Sequence, residues 1–139
     1  MAYTDAKFNV RQITRVLGAA SFGTATASSA TGADTTPAVY LPKFFRRTQV
    51  LGVRMTVTTI PDAGSTALKA NFLNGTSTFA TVTLTTATAG QVLSGTVTAA
   101  NAVFAADGQP TLTVTGTSTA SGDAQGSYNV DFEVQELFS

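Results

Sequence analysis

Two carboxylates, Asp131 and Glu133, stand two residues apart in the run YNVDFEVQEL. On a β-strand that spacing puts both on one face. Paired carboxylates can act as general acid and base or hold a cation. Their neighbours at the same period are Asn129 and Gln135, however, and the favoured reading is a solvated strand face or a subunit contact. Asp62, Asp107 and Asp123 could offer ligands to a weak calcium site. Each lies beside Pro or Gly, where Asp more often closes a turn by hydrogen-bonding its own backbone.

Gly90 and Gly95 have the glycine spacing of a phosphate-binding loop. That loop needs Lys after the second glycine to reach the phosphates, and a helix must follow it. Thr96 occupies the Lys position, and TVTAAN opens a helix poorly. The stretch TVTLTTATAGQVLSGTVT therefore reads as two strands joined by a hairpin turn around residues 88–90. Asn74, Gly75 and Thr76 match a glycosylation sequon, but Asn-Gly is also a tight-turn dipeptide, and the turn is the preferred role.

The most distinctive cluster is KFFRRTQ, residues 43–49, in which Lys43, Arg46 and Arg47 flank Phe44 and Phe45. Cations interleaved with aromatics can bind single-stranded nucleic acid. A nucleic-acid binder should carry net positive charge, and this chain has a formal net charge of zero. Two other readings stay open. The segment is a strand entry with Phe inward and Arg at the rim, or Arg46 and Arg47 pair with acids on a neighbouring subunit, where the Arg fork matches carboxylates.

The chain contains no Cys and no His. Disulfides, thiolate nucleophiles, His-ligated haem and Cys/His zinc sites are thereby excluded, and the commonest general base is missing. No catalytic residue, cofactor or metal site is expected, and the chain is not read as an enzyme. MAYTDAKFNVRQ lacks an apolar core of the kind a secretory signal needs. No apolar run approaches the roughly 18 residues of a membrane span. Synthesis and folding in a cytosol, without membrane insertion, is the expectation.

The elements that must position these residues follow from pattern and composition. At 139 residues, one domain is expected. Thr is the commonest residue at 26 copies, and only 12% of residues are charged. Thr favours strands through its branched Cβ and covers a surface without ions, which suits packing against neighbours. The charge is also uneven: all eight Lys and Arg precede Ala70, while five of the eight acids follow it. Such asymmetry can mark a partner contact, although interleaved strands would cancel it.

Residues 1–37 form an arm with no clean period, carrying Tyr3, Phe8, Arg11, Ile13, Arg15 and Phe22. Residues 38–139 read as a β-domain. TQVLGVRMTVTTI predicts Leu51, Val53, Met55 and Val57 on one strand face, and ALKANFLNGT predicts Leu68, Ala70 and Phe72. FATVTLTT turns Ala80, Val82 and Leu84 inward, and TLTVTGT does so with Leu112 and Val114. In YNVDFEVQEL the inward set is Tyr128, Val130, Phe132 and Val134. A short helical turn is expected near Val103 and Phe104. Short one-sided strands with regular turns predict an all-β fold, an antiparallel β-sandwich of jelly-roll or Ig-like type with an extended N-terminal arm.

The arm MAYTDAKFNVRQITRVLGAASFGTATASSA, followed by the strand series from FATVTLTT to YNVDFEVQEL, resembles tailed-bacteriophage virion proteins. In particular it looks like the head decoration, or cement, proteins. The resemblance rests on composition and layout and covers most of the chain. It implies a homotrimer on the capsid exterior that binds the major capsid protein and stabilises the shell. It implies no nucleic acid, no membrane and no cofactor. Tyr3, Phe8, Arg11, Ile13, Arg15, Phe22, Phe44, Arg46 and Arg47 are the candidate capsid or subunit contacts. The alternative is a tail or baseplate component, or a carbohydrate-binding β-sandwich module.

Overall fold

The computed structural model describes residues 19–21, 33–35, 39–61, 65–84, 88–118 and 126–137. Tyr3, Phe8, Arg11, Ile13, Arg15 and Phe22 lie outside them, as do Asp62 and Asp123. The strands are β1 (Ala19–Ser21), β2 (Ala33–Thr35), β3 (Val39–Tyr40), β4 (Thr48–Thr59), β5 (Ser65–Asn74) and β6 (Ser77–Thr83). They continue as β7 (Val92–Ser94), β8 (Thr96–Val97), β9 (Val103–Phe104), β10 (Pro110–Ser118) and β11 (Ser127–Glu136). All pairings are antiparallel. One sheet runs β1-β11-β4-β7, with β9 also on β4, and the other runs β2-β10-β5-β6-β8, with β3 also on β10. The chain is thus an all-β antiparallel sandwich. The two short strands from the predicted arm join different sheets, β1 on β11 and β2 on β10.

The core lies where the inner faces meet. β11 buries Tyr128, Val130, Phe132 and Val134 at every second position, β5 buries Leu68, Ala70 and Phe72, and β10 buries Leu112 and Val114. This is the period-2 pattern of a half-buried strand. Aromatic rings join the sheets. Phe132 of β11 lies 5.7 Å from Phe72 and 6.2 Å from Phe79, centroid to centroid, and Phe79 lies 5.2 Å from Phe104. Most of these pairs meet edge to face, the arrangement that the ring quadrupoles favour.

Two of the register shifts change which apolar side chains turn inward. On β4, Glu133 pairs with Gly52 but Val134 pairs with Val50, leaving Leu51 as the extra residue. Val50 therefore turns inward, and Leu51, predicted inward, is 41% exposed. On β6, Phe72 pairs with Ala80 and Leu73 with Thr78, so Phe79 is unopposed. Phe79 and Ala80 are both buried, which strict alternation forbids and a bulge permits.

The turn at residues 88–91 forms as expected, with Gln91 N–H donating to the Thr88 carbonyl at 3.0 Å. It is not a hairpin, however. β6 lies in one sheet, while β7 joins β4 in the other. The chain then crosses back at Gly95 so that β8 pairs with β6. Gly95 N–H donates to the Val53 carbonyl at 2.8 Å. A Cβ at Gly95 would lie 2.8 Å from Val82 Cγ2 and 3.1 Å from the Thr81 carbonyl oxygen. The absent side chain is what lets one strand serve both sheets. The helical turn expected at Val103 and Phe104 lies earlier, at Ala99–Asn101, as a 3-10 turn, and Val103–Phe104 is a strand. The β5–β6 hairpin turns on Gly75 and Thr76, with Asn74 pairing with Ser77. The Asn74 side-chain amide donates to the Asn101 and Val103 carbonyls at 3.1 and 2.8 Å, tying the hairpin tip to the 3-10 turn.

Tyr128 is fully buried, and desolvation pushes its phenol up from 10.0 to about 12. The folded chain therefore holds this proton more tightly than the unfolded chain. The associated stability is complete below about pH 10 and is lost as pH rises toward the folded value near 12. Urea titrations at stepped pH should show a shallower alkaline loss of stability for Tyr128→Phe than for the parent. An equal slope for both would show that this phenol does not govern the loss.

Candidate functional site

Residues 41–47 carry the chain from β3, in one sheet, to β4, in the other. The crossover is pinned by its backbone. Leu41 N–H donates to the Pro110 carbonyl at 3.0 Å and Phe44 N–H to the Gly108 carbonyl at 2.9 Å. Asp107 N–H donates to the Phe44 carbonyl at 2.7 Å, and Leu137 N–H to the Arg47 carbonyl at 2.8 Å. The Gln109 side-chain amide donates to the Leu41 carbonyl at 2.9 Å. Asp107 holds φ +62° in the facing turn, a conformation Asp tolerates better than most residues. Thr48 closes the segment, its hydroxyl donating to the Arg46 carbonyl at 2.8 Å.

This backbone sends the two adjacent phenylalanines opposite ways. Phe44 is 2% exposed and packs 5.2 Å from Phe104 and 6.2 Å from Phe132, centroid to centroid. Phe44, expected as a contact residue, is therefore a core residue. Its burial beneath the crossover removes it from the surface. Phe45 is 80% exposed, and Tyr40, at the start of the crossover, is 71% exposed. Neither was singled out from sequence as a contact. The signal was present in the Phe-Phe dipeptide, since adjacent residues in extended chain point to opposite sides.

Arg46 and Arg47 are both exposed beside Phe45. Arg46 Nη1 lies 3.7 Å from Glu136 Oε2 in the same chain. At that distance it is an ion pair without a hydrogen bond. With the Arg46 side chain 63% exposed, the pair adds at most about 1 kcal/mol. Arg46 thus has one acid within its own chain. Glu136 beside Arg46 and Asp107 at the facing turn offset part of the charge of Lys43, Arg46 and Arg47. The loop is correspondingly less attractive to a polyanion than its sequence suggests.

Among the described residues, part of the charge imbalance along the sequence is offset in space. β4 from the basic half lies against β11 from the acidic half, and Arg54 stands opposite Asp131. Asp131 and Glu133 share the outer face of β11 and are half-buried. The Glu133 carboxylate lies over Gly52, where an added Cβ would come within 3.5 Å of its Oε2. Among the described residues, no cluster of three metal-ligating side chains occurs, and no helix is long and apolar enough to cross a membrane.

The feature that stands out is therefore a candidate interaction surface, a hydrogen-bonded crossover presenting an exposed aromatic ring and two exposed guanidinium groups. Comparison with known proteins adds no family to this description. No protein-family model matches the chain, and neither the curated proteins nor the solved structures contain a match.

Proposed function

We propose that this chain is a structural virion protein, a head decoration protein of a tailed phage that binds the outer surface of the capsid and reinforces the shell as a homotrimer. Its partner is the major capsid protein. The protein is made in the host cytoplasm and functions on the capsid exterior, without a cofactor, nucleic acid or membrane.

The observation that carries this reading is Phe45, held 80% exposed between Lys43 and Arg46 by a hydrogen-bonded crossover. Solvent-exposed aromatics next to Arg are what protein interfaces use as anchors. A pre-organised backbone reduces the entropy lost on docking. The chain as a whole is rich in Thr and poor in charge, so little net repulsion opposes packing on a lattice. Repetition of a modest contact over a shell, three copies at a time, would give strong retention through avidity.

The test is co-sedimentation of the purified protein with capsids of the source phage. Phe45→Ala combined with Arg47→Ala should weaken binding by about tenfold or more, in the range of an anchor residue, while the melting temperature stays near that of the parent. Unaltered binding by the double variant would remove the crossover from the interface. Failure of the parent chain to bind capsids would remove the decoration role.

A further inference from the structure

The two guanidinium groups of the crossover are not equivalent. Arg46 Nη1 lies 3.7 Å from Glu136 Oε2, and the Glu136 side chain is only 17% exposed. The charge of Arg46 is therefore answered in part within the chain. Arg47 is exposed, and among the described residues no carboxylate forms an ion pair with it. Its backbone is nonetheless held on both sides. The Arg47 carbonyl accepts from Leu137 N–H at 2.8 Å, and the Arg46 carbonyl accepts from the Thr48 hydroxyl at 2.8 Å. Two residues before Arg47 stands Phe45, 80% exposed. The fold thus fixes the backbone beneath a cation and a ring and leaves both side chains in water.

We propose that Arg47 takes a carboxylate of an acidic protein segment whose neighbouring apolar side chains cover Phe45. The proposal rests on reading the crossover as the capsid contact, and it names what the partner presents there. A carboxylate matches the guanidinium fork with two parallel hydrogen bonds. A phosphate fits the same fork, but a nucleic acid presents a row of phosphates and is held by a groove of cations that tracks its backbone. Here Glu136 and Asp107 stand among the cations, so a row of phosphates would meet carboxylates as well. One carboxylate placed at Arg47 avoids that repulsion. The ring selects a protein segment over a lone anion. Apolar side chains laid on Phe45 take it out of water, and by excluding water from the adjacent ion pair they strengthen it. Arg46, already paired, contributes less.

Two measurements separate this site from the decoration role. In the isolated protein, the arginine side-chain Nε–Hε signals are followed by NMR during titration with a short synthetic peptide carrying one Glu between two Leu. The same peptide with Gln in place of Glu is the control, and oligothymidine is the nucleic-acid probe. The Arg47 signal should shift at least about threefold further with the Glu peptide than with the Gln peptide, and further than the Arg46 signal. Equal shifts with the two peptides, or a larger shift at Arg46, would overturn the proposal. A stronger response to oligothymidine would also overturn it and assign the loop to nucleic acid. In capsid co-sedimentation, Arg47→Glu should weaken binding by about a hundredfold, because it sets like charges against each other. Arg47→Lys keeps the charge without the fork and should weaken binding by about tenfold. Arg46→Gln should weaken it by no more than about threefold. Equal losses for Arg46→Gln and Arg47→Glu, at the parent's melting temperature, would overturn the assignment to Arg47. If the parent chain binds no capsid, the decoration role falls, and the peptide titration alone decides the carboxylate site.

Discussion

Phe132→Ala should lower the unfolding free energy by about 3–5 kcal/mol, the cost typical of removing a buried aromatic ring. Phe132 is 2% exposed and projects from β11 into the opposite sheet. Its ring meets Phe72 at 5.7 Å, Phe79 at 6.2 Å and Phe44 at 6.2 Å. Truncation removes the transfer free energy of the ring and leaves a void bounded by three other rings. These rings are held from different segments, Phe72 on β5, Phe79 at the β6 bulge and Phe44 under the crossover. None can move into the space without dragging a hydrogen-bonded backbone, so the void does not collapse. A domain of this size has about 5–15 kcal/mol of stability in all, and the variant should lie near the edge of folding at 37 °C. Urea denaturation would show a large fall in midpoint with an unchanged slope. Val92→Ala, on the outer face and 56% exposed, should change stability by no more than about 0.5 kcal/mol. A loss below about 1.5 kcal/mol for Phe132→Ala would mean that the aromatic cluster is not rigid.

That cluster also shows where a sequence stops being informative. The rings of Phe72 and Phe132 follow from alternation, because β5 and β11 keep strict period 2 where those residues lie. Phe79 does not follow, because a bulge inserts it and no residue type in STFATVT announces the insertion. Leu51 fails for the same reason. Alternation in VLGVRM groups Leu51 with Val53 and Met55, and only the pairing of Val134 with Val50, which makes Leu51 the extra residue, turns Val50 inward instead. Turns were legible as turns, since Gly90, Gly75 and Gly108 sit in them. Their role in topology was not. Residues 88–91 connect two sheets rather than two paired strands, and that depends on which distant strand offers an edge. The surface followed the same rule. KFFRR placed cations and an aromatic ring at the surface, but Phe44 lies in the core, and that needed the phase of the crossover, which its hydrogen bonds to Gly108 and Asp107 set. Local composition reports what a segment can do, and long-range pairing decides which of its side chains does it.

Gly126→Ala should cost about 3 kcal/mol or more, through two mechanisms that a second variant separates. Gly126 precedes β11 at φ +86°, in the left-handed region that L side chains disfavour by about 1–2 kcal/mol. An added Cβ would also lie 2.7 Å from the Thr59 carbonyl oxygen, 2.8 Å from the Tyr128 hydroxyl and 3.1 Å from the Pro61 nitrogen. The hydroxyl belongs to a fully buried ring, and the other two atoms are backbone at the end of β4, so none can yield cheaply. Relief would require the start of β11 to move away from β4, at the cost of the pairing of Ser127 with Thr59. Gly75→Ala isolates the backbone term. Gly75 has φ +61°, and nothing lies within 4 Å of its would-be Cβ. It should cost only about 1–2 kcal/mol. The difference between the two variants, read from urea midpoints at neutral pH, measures the close approach of β11 to the end of β4. Equal losses for Gly126→Ala and Gly75→Ala would mean that this corner relaxes freely, and that the left-handed backbone is the whole reason for glycine there.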